Sequence, residues 1–176
     1  MPVIMLGMSD KSLQTLLNTL PQIGCVEWIG VRPARQRAMQ VVDSVLADRQ
    51  HGLIGDRYAG ASGKRQVTLI QAEHLAVIES CLQNKVKIDP AILRRNLLVR
   101  GINLLALKDK YCQVGDAILQ ITGQCHPCSR MEQALGPGGY NAMRGHGGMN
   151  ARVVQSGLIR LGDRVRLLEG EVDNPA

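Results

Sequence analysis

The sequence has no phenylalanine, and Trp28, Tyr58, Tyr111 and Tyr140 are its only aromatic residues in 176 positions. That scarcity argues against a reader of single-stranded nucleic acid, which stacks bases on exposed rings. It also leaves the core to be built from Leu, Ile, Val and Met. No apolar run approaches the roughly 18 residues that a membrane span needs. The opening Met1-Pro2-Val3-Ile4-Met5-Leu6 lacks a charged leader and a small-residue cleavage site, so it does not read as a secretion signal. The five cysteines are odd in number and irregularly spaced. That is not a disulfide framework, and it points to a reducing, cytoplasmic compartment.

What is present is an ordinary globular composition, 45% hydrophobic, in a chain of single-domain length. The net charge is +6, and 15 of the 21 basic residues are arginine. A basic surplus opens the way to anionic partners such as phosphates, nucleic acid or an anionic cofactor.

The chain divides into a peripheral N-terminal helix (1–23), a main domain (24–170) and a frayed polar tail (171–176). Ser9-Asp10 precede Leu13, Leu16, Leu17 and Leu20 at helical spacing, and Pro21 and Gly24 end the pattern. Strands are predicted over 26–31, 39–46, 66–70, 96–100, 117–122, 151–155 and 165–168. Helices are predicted over 72–82, with Leu75, Ile78 and Leu82 on one face, and from Pro90 to Arg94-Arg95. Val114-Gly115-Asp116 and Leu161-Gly162-Asp163 each put a tight turn before a strand. Strands and helices do not alternate regularly, which excludes a Rossmann-type sheet. The expected fold is α+β and mainly β, a mixed, partly closed β-barrel with short inserted helices.

The strongest chemical feature is Cys125-His126-Pro127-Cys128-Ser129-Arg130-Met131-Glu132. Ser129 and Glu132 have capping-box spacing, so a helix is expected to start there, with Cys128 just before its first turn. Unpaired N–H groups, His126 and Arg130 would favour a thiolate at Cys128. A metal ligand, a persulfide carrier and a nucleophile all need such a thiolate. A zinc site would need two more ligands, and Cys112 and His146 form no second pair. A dithiol redox motif lacks its βαβ context. Cys125 then reads as an incidental small residue, with Pro127 setting a turn. Cys25, Cys81 and Cys112 read as inert packing residues.

Arginines also stand beside turns. Arg57 follows Gly55-Asp56, Arg65 precedes a strand, Arg94-Arg95-Asn96 lies at a strand entry, and Arg152 follows a glycine-rich stretch. Guanidinium groups so placed suit a shared oxyanion site. Residues 136–148 hold six glycines and read as a turned loop, either a connector or a backbone cradle. Tyr58 and Tyr140 are the expected aromatic walls of any pocket. Glu73 and His74 are adjacent, so they cannot form a zinc-binding HExxH pair; His74 reads as structural, or hydrogen-bonded to a polar cavity.

In order, the pieces resemble the MOSC domain, named for the C-terminal domain of molybdenum-cofactor sulfurases. They are Gly52 to Arg57; Arg65 to Ile70 with Glu73-His74; Arg95-Asn96-Leu97; Gly101 to Leu104; Val114 to Ala117 with Leu119 to Thr122; Pro127-Cys128; and Gly157 to Ile159 with Gly162 to Val165. The resemblance spans about residues 26–168 and implies a mixed β-barrel. It makes Cys128 the functional residue, in one of two roles. As a ligand to molybdenum, it would serve reduction of N-hydroxylated or N-oxidised small molecules. As a sulfur carrier, it would hold a persulfide received from a pyridoxal-phosphate-dependent cysteine desulfurase. The molybdenum cofactor (molybdopterin) is the implied cofactor, and Arg57, Arg65, Arg95, Asn96 and Arg152 are the expected residues around it. No fused desulfurase or electron-transfer domain accompanies these pieces, so a separate flavoprotein donor or a separate desulfurase is the expected partner. A non-catalytic anion-binding or nucleic-acid-binding module is the remaining alternative, and it leaves the Pro-Cys placement without a purpose.

Overall fold

The computed structural model describes residues 12–83, 85 and 87–169. The expected helix start at Ser9-Asp10 and the tail 171–176 lie outside the described residues. Ser12 instead caps α1 (Leu13–Asn18), accepting a hydrogen bond from the Thr15 amide at 3.3 Å. No residue of α1 is buried, and Leu20 just beyond it packs on the core.

The next elements are β1 (Gly24–Val31), β2 (Gln40–Val41), β3 (Ser44–Asp48), β4 (Gly52–Leu53) and β5 (Val67–Gln71). Then come α2 (Ala72–Cys81), α3 (Pro90–Leu93), β6 (Leu97–Arg100) and a 3-10 turn (Leu104–Leu107). The second half holds β7 (Tyr111–Val114), β8 (Ala117–Gln124), α4 (Ser129–Leu135), α5 (Gly139–Met143), β9 (Met149–Gln155), β10 (Gly157–Arg160) and β11 (Arg164–Leu167).

Seven strands close into a mixed barrel in the order β1-β11-β7-β8-β9-β5-β6, and β6 returns to β1. Every pairing around it is antiparallel except β5 with β6. A parallel pair cannot be joined by a hairpin, so the chain crosses over between β5 and β6. That crossover is where α2 and α3 stand. β10, β3 and β4 form a small antiparallel sheet beside the barrel.

Two apolar layers follow from the period-two alternation of the strands. Val67, Leu69, Leu97, Val99, Leu119, Ile121 and Val153 fill the barrel. Ile70 and Leu98 point outward to meet Ile78 of α2, Leu93 of α3, Met131 and Leu135 of α4, and Met143 of α5. β5 and β6 are therefore buried on both faces, which is why they read as continuous apolar runs.

The structure corrects several expectations. The strand expected over 39–46 is two pieces, β2 on β1 and β3 on β10, because the chain changes sheets at Val42-Asp43. β4, β7 and β10 fall outside the expected strands. β4 and β10 are short and carry glycine, and the Tyr111-Cys112-Gln113-Val114 stretch has little apolar contrast. The glycine-rich segment is not one loop, since α5 occupies Gly139–Met143. Cys25 and Cys81 are exposed, and only Cys112 among those three is a packing residue. Burial pushes the Cys112 thiol up to about 12. No helix among the described residues is long and apolar enough to cross a membrane.

Candidate functional site

Cys128 is the residue before α4, in an extended conformation (φ −131°, ψ 173°), with its side chain exposed. Its carbonyl accepts from the Met131 amide at 2.8 Å and so begins the helix. The expected capping box does not form. Ser129 is the first helical residue, and Glu132 reaches forward instead. Its carboxylate accepts from the amides of Gly138 at 2.9 Å and Tyr140 at 2.8 Å, tying α4 to α5. These backbone donors hold the Glu132 carboxyl below the usual carboxylate range.

The backbone leading to Cys128 is fixed from beneath. The Cys125 amide donates to Gly148 O at 2.8 Å. Arg95 is buried, 7% exposed, and spends its guanidinium on main-chain carbonyls. It donates from Nε to Gly147 O (2.7 Å), from Nη1 to Leu93 O (2.8 Å) and from Nη2 to Cys125 O (3.4 Å). One side chain thus locks together the end of α3, the glycine segment and the approach to Cys128. The glycines permit this closeness. Gly148 stands at φ +91°, and a Cβ there would strike the Leu69 carbonyl.

The next residue, Asn96, is likewise a buried support, 5% exposed. Its Oδ1 accepts from Thr68 N (3.0 Å) and Thr68 Oγ1 (2.8 Å). Its Nδ2 donates to Gly30 O (3.1 Å) and to Asp56 Oδ1 (3.2 Å). Asp56 Oδ1 also accepts from the Arg32 amide at 2.7 Å, and the Arg57 amide donates to Arg32 O at 2.8 Å. The turn carrying Asp56 and Arg57 is so bound to β1 and β6.

Four guanidinium groups gather above this base. Arg32 and Arg94 each feel the positive charges of the other basic groups, Arg57 and Arg130 included, and Cys128 acts attractively on Arg94. Burial first, then this like-charge crowding, holds both Arg32 and Arg94 below the ordinary arginine value, with Asp56 opposing. Asp56 is the only carboxylate acting on them among the described residues. Arg32 Nε and Arg94 Nη2 are buried and have no hydrogen-bond partner. A buried donor left without a partner costs about 1–3 kcal/mol. An oxyanion accepting from either would relieve the crowding and an unmade bond together.

Of the expected cofactor residues, Arg57 lies within this cluster. Arg95 and Asn96 sit beneath it as supports. Arg65 is exposed and its charge acts on Cys125, whose thiol is raised chiefly by burial. Arg152 donates to Ser62 O at 3.0 Å and lines a separate groove with Tyr58. Tyr140 is 41% exposed, and neither tyrosine lines the groove that holds Arg94 and Arg130. Sequence reasoning passes over Arg32 and ranks Arg94 below its neighbour. The signal for Arg94 is its position directly after α3, which forces the left-handed conformation (φ 58°, ψ 34°) that glycine usually takes.

A further small cavity is lined by Cys125, His74, His126, Gln124, Leu104 and Met149 among others. His74 packs edge-on against His146, ring centroids 5.0 Å apart. Neither Nδ1 atom has a hydrogen-bond partner. Burial, then the neighbouring His146, lowers the His74 pKa, with Glu73 opposing. No group of three or more His, Cys, Asp or Glu side chains among the described residues is placed to hold a metal ion.

A family model described as the MOSC domain matches residues 36–166. Among solved structures, the chain is similar to the YUAD protein from Bacillus subtilis, at 19% identity and TM-score 0.71, over 83% of this chain and 96% of that one. It is also similar to YiiM from Geobacillus stearothermophilus (18%, TM-score 0.66, 83% and 75% covered). YiiM from Escherichia coli is a third relative (16%, TM-score 0.64, 85% and 72% covered). Likeness at these identities establishes the fold. No curated protein matches the chain.

Proposed function

The chain belongs to the MOSC domain family, and on that premise we propose that it binds the molybdenum cofactor, with Cys128 as the protein ligand and an arginine cluster as the phosphate site. The observation that carries this reading is the pair of buried, partnerless donors, Arg32 Nε and Arg94 Nη2, in a like-charged group beside an exposed thiol. The residues fit the group on both counts. A soft sulfur ligand suits a redox metal, and planar guanidinium groups suit a phosphate.

When bound, the cofactor supplies two-electron redox chemistry at its metal. The chain's own residues do the rest. Cys128, exposed at the start of α4, would hold the metal through its thiolate. Arg32, Arg57, Arg94 and Arg130 would hold the anionic end of the cofactor. Asp56, fixed by Asn96 and the Arg32 amide, would offset part of the repulsion among the arginines. Arg95 keeps the Cys128 approach rigid. The reaction proposed is reduction of an N-hydroxylated or N-oxidised small molecule, with electrons from a separate flavoprotein.

The test is expression in cells that make the cofactor, followed by assay of molybdenum and pterin. Near-stoichiometric metal is expected in the wild type, with loss in Cys128→Ser and marked loss in Arg94→Gln. Full loading of Cys128→Ser would overturn the ligand assignment.

The exposure of Cys128 also favours a second reading, in which it carries a persulfide received from a cysteine desulfurase. That reading expects a mass gain of one sulfur atom on Cys128 after incubation with such an enzyme and cysteine.

A further inference from the structure

Beside the arginine cluster, a groove of about 620 Å³ runs between the 36–39 segment, α3 and α4. Its volume falls in the range of small-molecule sites. Ala38, Met39 and Ile92 give it an apolar surface, and Arg37, Arg94 and Arg130 stand around it. No acidic or aromatic residue lines it. Among the described residues, no hydrogen bond or ion pair engages the guanidinium of Arg37, Arg94 or Arg130. Two backbone positions frame it in the left-handed region that side chains rarely adopt, Gln36 (φ 64°) and Arg94 (φ 58°).

We propose that this groove seats the substrate, and that the substrate is a small organic anion with an apolar body and a carboxylate or phosphate group. The inference rests on Cys128 being the reacting corner, because Arg94 and Arg130 belong both to the groove and to the charge group around Cys128. Apolar contact holds the body, and the free guanidinium groups hold the charge. The absence of aromatic walls disfavours a planar nucleobase, which would be gripped by stacking. The two arginine sets divide the work. Arg32 and Arg57 would serve the cofactor phosphate, Arg37 lies in the groove outside that charge group, and Arg94 and Arg130 belong to both.

The test uses the purified full chain, with its molybdenum content measured, and titration calorimetry at fixed ionic strength. The probes are 4-phenylbutyrate, its neutral amide, the matching amine, inorganic phosphate and a single-stranded oligonucleotide. Phenylbutyrate is expected to bind roughly tenfold or more tighter than the amide, a gap equal to one charge-assisted contact, and the amine is expected not to bind. Arg37→Glu and Ala38→Asp, both exposed positions, are expected to remove phenylbutyrate binding and leave phosphate binding unchanged. Thermal melting confirms that each variant is folded.

Equal affinity for acid and amide would overturn the proposal. So would indifference of phenylbutyrate to both substitutions, or tighter binding of the oligonucleotide through Arg37. Loss of molybdenum loading with groove binding intact would sink the cofactor reading alone. Normal loading without charge preference in the groove would sink the groove proposal alone.

Discussion

Asn96 Nδ2 donates to Asp56 Oδ1 at 3.2 Å, and that bond joins the buried entry of β6 to the one carboxylate among the described residues that acts on Arg32 and Arg94. Asp56 accepts the Arg32 amide with the same oxygen. One carboxylate oxygen is thereby held by a side-chain amide and a main-chain amide, and Arg32 Nε and Arg94 Nη2 keep free donors. A site that must bind an anion needs this arrangement, because a freely swinging acid would pair with the arginines and close it.

Asn96→Ala should destabilise the fold by about 2–4 kcal/mol, since it strips buried partners from Thr68, Gly30 and Asp56. Chemical denaturation measures this. Loss below about 0.5 kcal/mol, the scale of an ordinary surface substitution, would mean that the network is not structural.

Arg94→Gly should separate stability from function. The left-handed conformation costs a non-glycine residue about 1 kcal/mol, and removing a positive charge relieves crowding on Arg32. The variant should melt no lower than the wild type. It should also lose most of the thermal stabilisation that added phosphate gives the wild type by mass action. A variant that melts lower, or keeps the full phosphate effect, contradicts this account.

Alkylation with iodoacetamide near pH 8 should leave Cys112 unmodified in the folded protein, because burial raises its thiol to about 12. Cys128, Cys25 and Cys81 are exposed and should react. Phosphate should slow modification of Cys128 and not of Cys25 or Cys81. Peptide mass mapping over a time course reads the difference, and uniform protection would argue against an anion site at Cys128.

His74 should give the protein an acid-sensitive step. Its folded pKa is lowered by burial and by His146, so the unfolded chain binds its proton more readily. Stability tied to His74 is fully present above the ordinary histidine value and is lost as pH falls below it, down through the folded value. Melting temperature followed from pH 8 to 5 should decline, and His74→Gln should flatten that decline. An unchanged slope in His74→Gln would place the sensitivity elsewhere.

The sequence alone determined the barrel class, most of its strands and the family resemblance, and it singled out Cys128 as the candidate to test. Period-two alternation, Gly-Asp turns and the Pro-Cys dipeptide are local signals, and local signals survive in a linear reading. It could not separate three adjacent residues of one motif, Arg94, Arg95 and Asn96. Tertiary structure decided their fates. The left-handed turn after α3 sends Arg94 to the arginine cluster, while burial turns Arg95 onto the carbonyls of Leu93, Gly147 and Cys125 and Asn96 onto Thr68, Gly30 and Asp56. Arg32 came into the cluster in the same way, its amide bonded to the Asp56 carboxylate across 24 residues of chain and its carbonyl to the Arg57 amide. Which donors stay unpaired depends on every neighbour that the fold supplies, and no window of sequence contains those neighbours.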